Sequence, residues 1–393
     1  MGTAGLPREV SGLAQIDVKP VGAIRATRAV FLMLGIVLAA WAPLVPELKL
    51  RLSLDDAELG LMLLAIGGGS LVSAPLAGIA TAHLGCRGVM LTMGLVFCAT
   101  LPALTVLPGV GLTAVALFLF GASTAAIDVA MNAQAVVVER QAGRAMMSGF
   151  HGLFSGGALC GASAMSFALW CGATPVLGAC LLAAAGAVIL VSQAPWMLPR
   201  AGAPAAIAWP RGRLALIGAL CFIGFMAEGA VHDWTAVLLR FHRGADAATA
   251  GLAYAAFAVA MTVGRLTGDA VLRRLAPVVV LRWGAGIAAV GFLVMTVLPG
   301  IPAALVGCAL IGIGEANIVP ALFSAAARIR GADPGQAIAA AAAPGYVGLL
   351  AGPALIGLAA EATSLPMALG AAGLLLLVIT VAALRATEED HHA

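Results

Sequence analysis

The chain has 393 residues, 62% of them hydrophobic and 10% charged, with a formal net charge of +3. Soluble domains run at roughly 45–50% apolar and about 25% charged residues, so a soluble fold of this size would expose too much apolar surface to water. The small net charge, with no basic run interleaved with aromatics, argues against a nucleic-acid partner. The solvent that fits is a lipid bilayer, and 49 glycines suit close packing of membrane helices.

Residues 1–27 carry Arg8, Lys19 and Arg25 but no short apolar core with a small-residue cleavage site. They are expected to form a cytoplasmic tail rather than a signal peptide. A bilayer core needs roughly 20 apolar residues as helix. Runs of that kind fall near 28–48, 58–82, 88–107, 110–136, 148–170, 174–194, 214–239, 248–272, 277–298, 301–326, 336–359 and 363–385. Pro43, Pro75, Pro320 and Pro353 lie inside them, which membrane helices tolerate. The stretch 195–213, rich in Pro and Arg, separates the sixth run from the seventh and reads as a cytoplasmic linker. The expected architecture is an all-α integral membrane protein of two six-helix bundles, 28–194 and 214–385, with a short tail at 386–393.

Charge placement tests that count. With the N-terminus inside, only Lys49, Arg51, Arg240 and Arg243 of the 21 Lys and Arg residues fall outside. This bias supports twelve spans with both termini cytoplasmic. The seven cysteines form no Cys-x-x-Cys pair and read as small buried hydrophobes, with no metal, disulfide or cofactor signal. No phosphate-binding loop, His-Glu-x-x-His or Gly-x-Ser-x-Gly motif is present, so ATP drive and an enzyme are not expected. No selectivity-filter repeat or Arg-rich voltage helix points to a channel.

The two halves repeat at a spacing of about 190 residues. Leu76-Ala77-Gly78 answers Leu266-Thr267-Gly268, and Phe120-Gly121 before Asp128 answers Ile311-Gly312 before Glu315. Trp41 and Trp234 hold matching places in the first and seventh runs. Parallel repeats of this kind belong to transporter architectures with a site between the halves.

Over nearly its whole length the chain resembles a major facilitator superfamily (MFS) transporter. The family has a Gly-x-x-x-Asp-Arg-x-Gly-Arg-Arg signature after the second and eighth helices. Here the first copy reads Gly78 to Arg87 with Ala82 in place of the acid, and the second keeps Gly264-Arg265-Leu266-Thr267-Gly268-Asp269 followed by Arg273-Arg274. Asp128-Val-Ala-Met-Asn132-Ala-Gln134, then Glu139, Arg144 and Phe150-His151-Gly152, resemble the bacterial MosC-like branch. So do Glu228-Gly229 with Asp233-Trp234, and Ala316-Asn317-Ile-Val-Pro320. The resemblance implies a bacterial inner-membrane, multi-pass, monomeric secondary transporter working by rocking of two bundles, with the first, fourth, seventh and tenth helices lining the cavity. It also implies a gating network of Arg265, Asp269 and Arg273.

Ionisable groups at membrane depth are costly and usually face a cavity, a partner or a proton path. Asp128, Glu228 and Glu315 fall on runs four, seven and ten, at or near mid-depth. Asp128 shares a face with Asn132, and Glu228 with His232. These residues, with Asn317 and Tyr346, are the expected substrate or proton-coupling set; packing hydrogen bonds are the competing reading. His151, Glu139 and Arg144 join the expected gating set. Trp41 and Trp234 read as interfacial anchors. The expected function is proton-coupled movement of a small polar, sugar-like solute. Efflux of a drug or metabolite by proton antiport remains open, as does a non-transporting sensor of the same fold.

Overall fold

The computed structural model describes residues 20–143, 146–199, 211–329 and 334–387. Among them the chain is helical throughout, and twelve helices are long and apolar enough to cross a membrane. They are α1 (Val21–Leu52), α2 (Asp56–Thr81), α3 (His83–Val106), α4 (Val110–Ala142), α5 (Gly149–Trp170), α6 (Pro175–Trp196), α7 (Arg213–His242), α8 (Ala247–Gly268), α9 (Pro277–Val297), α10 (Ile301–Ala327), α11 (Ala340–Ala362) and α12 (Leu365–Thr387). α1 begins well before the expected residue 28, so part of the expected tail is helix. Arg144 and most of the linker lie outside the described residues.

Local irregularities follow from residue chemistry. Within α1, Pro43 and Pro46 have no amide hydrogen to donate, and the chain passes through a 3-10 turn at Ala42–Leu44. α2 and α3 meet at a kink where Gly85 holds φ 75°, ψ 163°, a conformation closed to residues with a Cβ. α10 is interrupted between Glu315 and Ile318. Pro320 is the cause: it has no N–H for the Ala316 carbonyl.

Helices approach through small residues, as membrane packing requires. A Cβ on Gly157 or Gly161 of α5 would collide with the α1 backbone at Leu32 or Ile36. In the second half Gly348 and Gly352 of α11 meet Phe222 and Met226 of α7 in the same way. Gly121 of α4 abuts Ile66 of α2, and Gly312 of α10 abuts Phe257 of α8. Each pair maps onto its counterpart at the repeat spacing, so the two bundles share one internal plan.

The end remote from the linker carries matched caps. Asp55 accepts from Glu58 N at 2.7 Å, completing a capping box at the start of α2, and Asp246 accepts from Thr249 N at 2.7 Å at the start of α8. Arg51 donates to the carbonyls of Leu104 (2.8 Å) and Leu107 at the end of α3. Arg243 donates to those of Met295 (3.2 Å), Thr296 (2.9 Å) and Leu298 (3.4 Å) at the end of α9. A guanidinium at a helix C-terminus satisfies orphan carbonyls and opposes the macrodipole.

The bundles meet chiefly along two helix pairs, with the end of α1 adding contacts to α7 and α8. α2 touches α11 through Gly60 against Pro353 and Gly357, and through Gly67 against Leu350. α8 touches α5 where Gly251 faces Ser166. These approaches use the halves of α2 and α8 remote from the linker. At that end Lys49 pairs with Asp56 and sits over the Phe241 ring at 5.6 Å, a cation–π contact that joins α1 to α7.

Candidate transport site

Polar side chains of both bundles lie on α4, α5, α7, α8, α10 and α11. On α4, Asn132 Nδ2 donates to Asp128 Oδ1 at 3.1 Å and to its carbonyl at 2.9 Å, the one-turn pairing the spacing predicts. Both side chains are partly exposed. Tyr346 of α11 is 49% exposed and stacks on Phe225 of α7 with ring centroids 5.6 Å apart. Asp128 and Glu228 lie close enough to act on the Tyr346 hydroxyl electrostatically.

Arg265 of α8 ties the halves together. Its Nη2 lies 3.5 Å from Glu228 Oε1 on α7, and its Nη1 donates to Ser155 Oγ on α5 at 3.3 Å. The Arg265 and Glu228 side chains keep 29% and 27% exposure, so the pair is solvated and long rather than locked. His151, one turn before Ser155, senses the Arg265 charge and lies edge-on to Phe31 at 5.2 Å. Glu315 is 5% exposed, and neither carboxylate oxygen has a partner among the described residues. Glu228 and Arg265 are its charged neighbours. An unpaired buried carboxylate is costly, so Glu315 is suited to carry a proton.

Other expected residues do structural work. Asn317 Nδ2 donates to the Gly264 carbonyl at 3.2 Å, clamping α10 to α8 beside the α10 break. Glu139 accepts from Met146 N (2.6 Å) and Met147 N (2.8 Å), capping the start of α5. The side chains of Asp269 and Arg273 lie outside the described residues. Trp41 and Trp234 are fully buried, not at an interface; Trp41 packs near Phe120 at 6.2 Å.

Three features escaped the sequence reading. His232 Nδ1 and Asp233 Oδ1 are 2.7 Å apart, and the imidazole lies edge-on to Tyr254 of α8 at 5.0 Å. Gln134 is buried, donating to Thr27 Oγ1 (2.9 Å) and accepting from Leu198 N (2.8 Å). Arg87 donates to the carbonyls of Pro195 (3.0 Å) and Met197 (3.0 and 2.6 Å), and its amide bonds Leu198 O at 3.1 Å. Met197 and Leu198 are wholly buried, so the linker starts as an anchored strap. The position of Arg87 in a loop signature hinted at a role; nothing in the sequence pointed to backbone carbonyls over a hundred residues away.

A family profile described as Major Facilitator Superfamily matches residues 28–329. The chain belongs to the major facilitator superfamily. A protein of Yersinia pestis described as an uncharacterized MFS-type transporter is 44% identical over 361 residues, covering 91% of this chain and 94% of that one. The membrane protein MosC of Rhizobium meliloti is 32% identical over 358 residues, covering 88% and 86%. Among solved structures, a point mutant of the nucleoside transporter NupG aligns with a TM-score of 0.75 at 13% identity, covering 93% of this chain and 100% of that one. A D-xylose–proton symporter aligns with a TM-score of 0.72 at 15% identity, covering 92% and 97%. The latter two establish the MFS fold, and the relatives establish an MFS transporter rather than an enzyme.

Proposed function

We propose that this MFS transporter couples protons to the movement of a small polar, sugar-like solute across the bacterial inner membrane, with its linker and both termini cytoplasmic. The Glu228–Arg265–Ser155 contact carries the reading. It joins α7, α8 and α5 across the bundle interface, near Glu315, whose carboxylate has no partner among the described residues. Protonating Glu228 removes the charge that holds Arg265 on α7. The guanidinium then shifts toward Ser155 or a solute, which links proton binding to the fit between the halves. Tyr346 on its Phe225 support offers a ring face for a sugar, with Asp128 and Asn132 as hydrogen-bonding groups. The names of the nucleoside transporter and the xylose symporter support a polar, ring-shaped solute. The chain works as a monomer, and Tyr346 is reached from the linker end, away from the close approach of α2 to α11.

Purified protein in liposomes, offered nucleosides, D-xylose, L-fucose and other polyols singly, is expected to accumulate at least one when a proton gradient is imposed. Collapsing the gradient with a protonophore abolishes the accumulation. Accumulation indifferent to the gradient would overturn proton coupling, and binding without flux would return the chain to a sensor.

A further inference from the structure

His232 and Asp233 form a part-buried pair that the site above does not use. Asp233 is 8% exposed, and its Oδ1 lies 2.7 Å from His232 Nδ1. An ionised carboxylate is acceptor-only, so this contact puts the neutral imidazole hydrogen on Nδ1 and leaves a lone pair on Nε2. Nε2 is buried with no partner among the described residues. A buried ring nitrogen with a fixed tautomer and no bonded partner is chemically a waiting proton acceptor.

Its surroundings give it a direction. His232 stands one helical turn beyond Glu228 on the same face of α7, toward the end remote from the linker. That is the half where α2 closes on α11, and α8 on α5. Asp233 on α7 and Tyr254 on α8 are the titratable groups in contact with it, and Glu228, one turn away on α7, in turn faces Arg265 of α8.

We propose that His232, oriented by Asp233, is a second proton station, reached from the remote end and delivering to Glu228. The proposal rests on the proton-coupled reading above. With the remote end open, a hydronium there gives its proton to form an N–H bond at Nε2, and the Asp233 carboxylate offsets the imidazolium charge. The Nε2–H bond then breaks and an O–H bond forms on Glu228 through one water admitted as the halves part, because Nε2 is closed to water in this conformation and residues four apart on a helix rise about 6 Å. Glu228, once neutral, releases Arg265. Asp233 acts through His232 and is a positioning residue.

The test is 15N NMR of the full chain labelled at histidine in lipid nanodiscs, with the His232 signals assigned by their loss in His232→Gln. Neutral His232 is expected to carry its hydrogen on Nδ1, and Nε2 to be the nitrogen that gains one on acidification. Glu228→Gln should change the protonated fraction of His232 at a fixed pH by about twofold or more, while Glu361→Gln at the far end of α11 leaves it unchanged. Asp233→Asn should move the hydrogen toward Nε2, and Asp233→Glu should keep it on Nδ1. If Asp233→Asn fails to fold, the wild-type spectra and the two glutamate variants decide. A hydrogen on Nε2 in the neutral wild type, no protonation of the folded chain on acidification, or indifference to Glu228→Gln overturns the station. Gradient-indifferent uptake in liposomes would instead overturn the coupled reading, whatever the spectra show.

Discussion

Glu228 and Arg265 face each other at 3.5 Å with more than a quarter of each side chain exposed. Solvation keeps such a pair weak, about 1 kcal/mol or less, which suits a contact that must open in every cycle. Replacing Glu228 with Gln is expected to reduce gradient-driven accumulation to the level of protein-free liposomes while leaving solute exchange at equal pH intact. Full retention of gradient-driven accumulation would remove Glu228 from coupling. Arg265→Lys keeps the charge but loses the fork that reaches Glu228 and Ser155 together. It should therefore lower transport with little change in thermal stability, read by comparing uptake with an unfolding scan of the same preparation. Asp128, Glu228 and Glu315 were legible from sequence because charges in apolar runs stand out. His232–Asp233 was not fully legible. Sequence spacing showed that His232 shares a face with Glu228, but adjacent residues point to different sides of an ideal helix, and only rotamers bring Nδ1 to Oδ1.

Helices in this chain are specified twice, by greasiness and by contact chemistry. Greasiness alone fixes their number, and all twelve expected runs correspond to described helices. Their ends are less legible, because capping and proline govern them locally; α1 extends back to Val21 past the expected boundary. Glycine ladders set which helices touch. Gly157→Leu would drive a side chain into the α1 backbone at Leu32, and overpacking of this kind costs typically about 1–3 kcal/mol. Gly348→Leu should do the same against Phe222, giving two variants with matching losses in thermal stability. The linker anchor predicts a further loss. Arg87→Ala removes three donated hydrogen bonds, two to the carbonyl of the buried Met197 and one to that of the exposed Pro195, and should destabilise by about 1–3 kcal/mol, measured by denaturation in detergent. Asp246 adds a pH dependence. Its bond from the Thr249 amide holds its carboxyl below the usual carboxylate range. Because the folded value is depressed, the cap stabilises fully at neutral pH and is lost as the pH falls below about 4. Asp246→Ala should cost about 1 kcal/mol at neutral pH and nothing in strong acid.

For the whole molecule, α2 and α11 approach closely in the half remote from the linker, α5 and α8 also touch nearer the linker through Arg265 and Ser155, and Tyr346 stays half exposed. A cysteine placed there (Tyr346→Cys, in a chain whose native cysteines are replaced by Ser) is expected to react with a membrane-impermeant maleimide from the linker side. Reaction from the remote side alone would overturn the assignment of the open face. The caps at the remote end bear on how the chain is made. Lys49, Arg51, Arg240 and Arg243 are the four cations that break the charge bias, and each is held: Lys49 by Asp56, Arg240 by the Ala245 carbonyl, Arg51 by the end of α3 and Arg243 by the end of α9. Synthesis runs from the N-terminus, so Arg51 emerges more than fifty residues before its acceptors at Leu104 and Leu107, and Arg243 a similar distance before Met295. With the N-terminus cytoplasmic, as proposed, each guanidinium crosses the membrane bare and finds its carbonyls only when the next two helices have followed. The same delay recurs in each half, so the repeat duplicates an order of assembly as well as a shape.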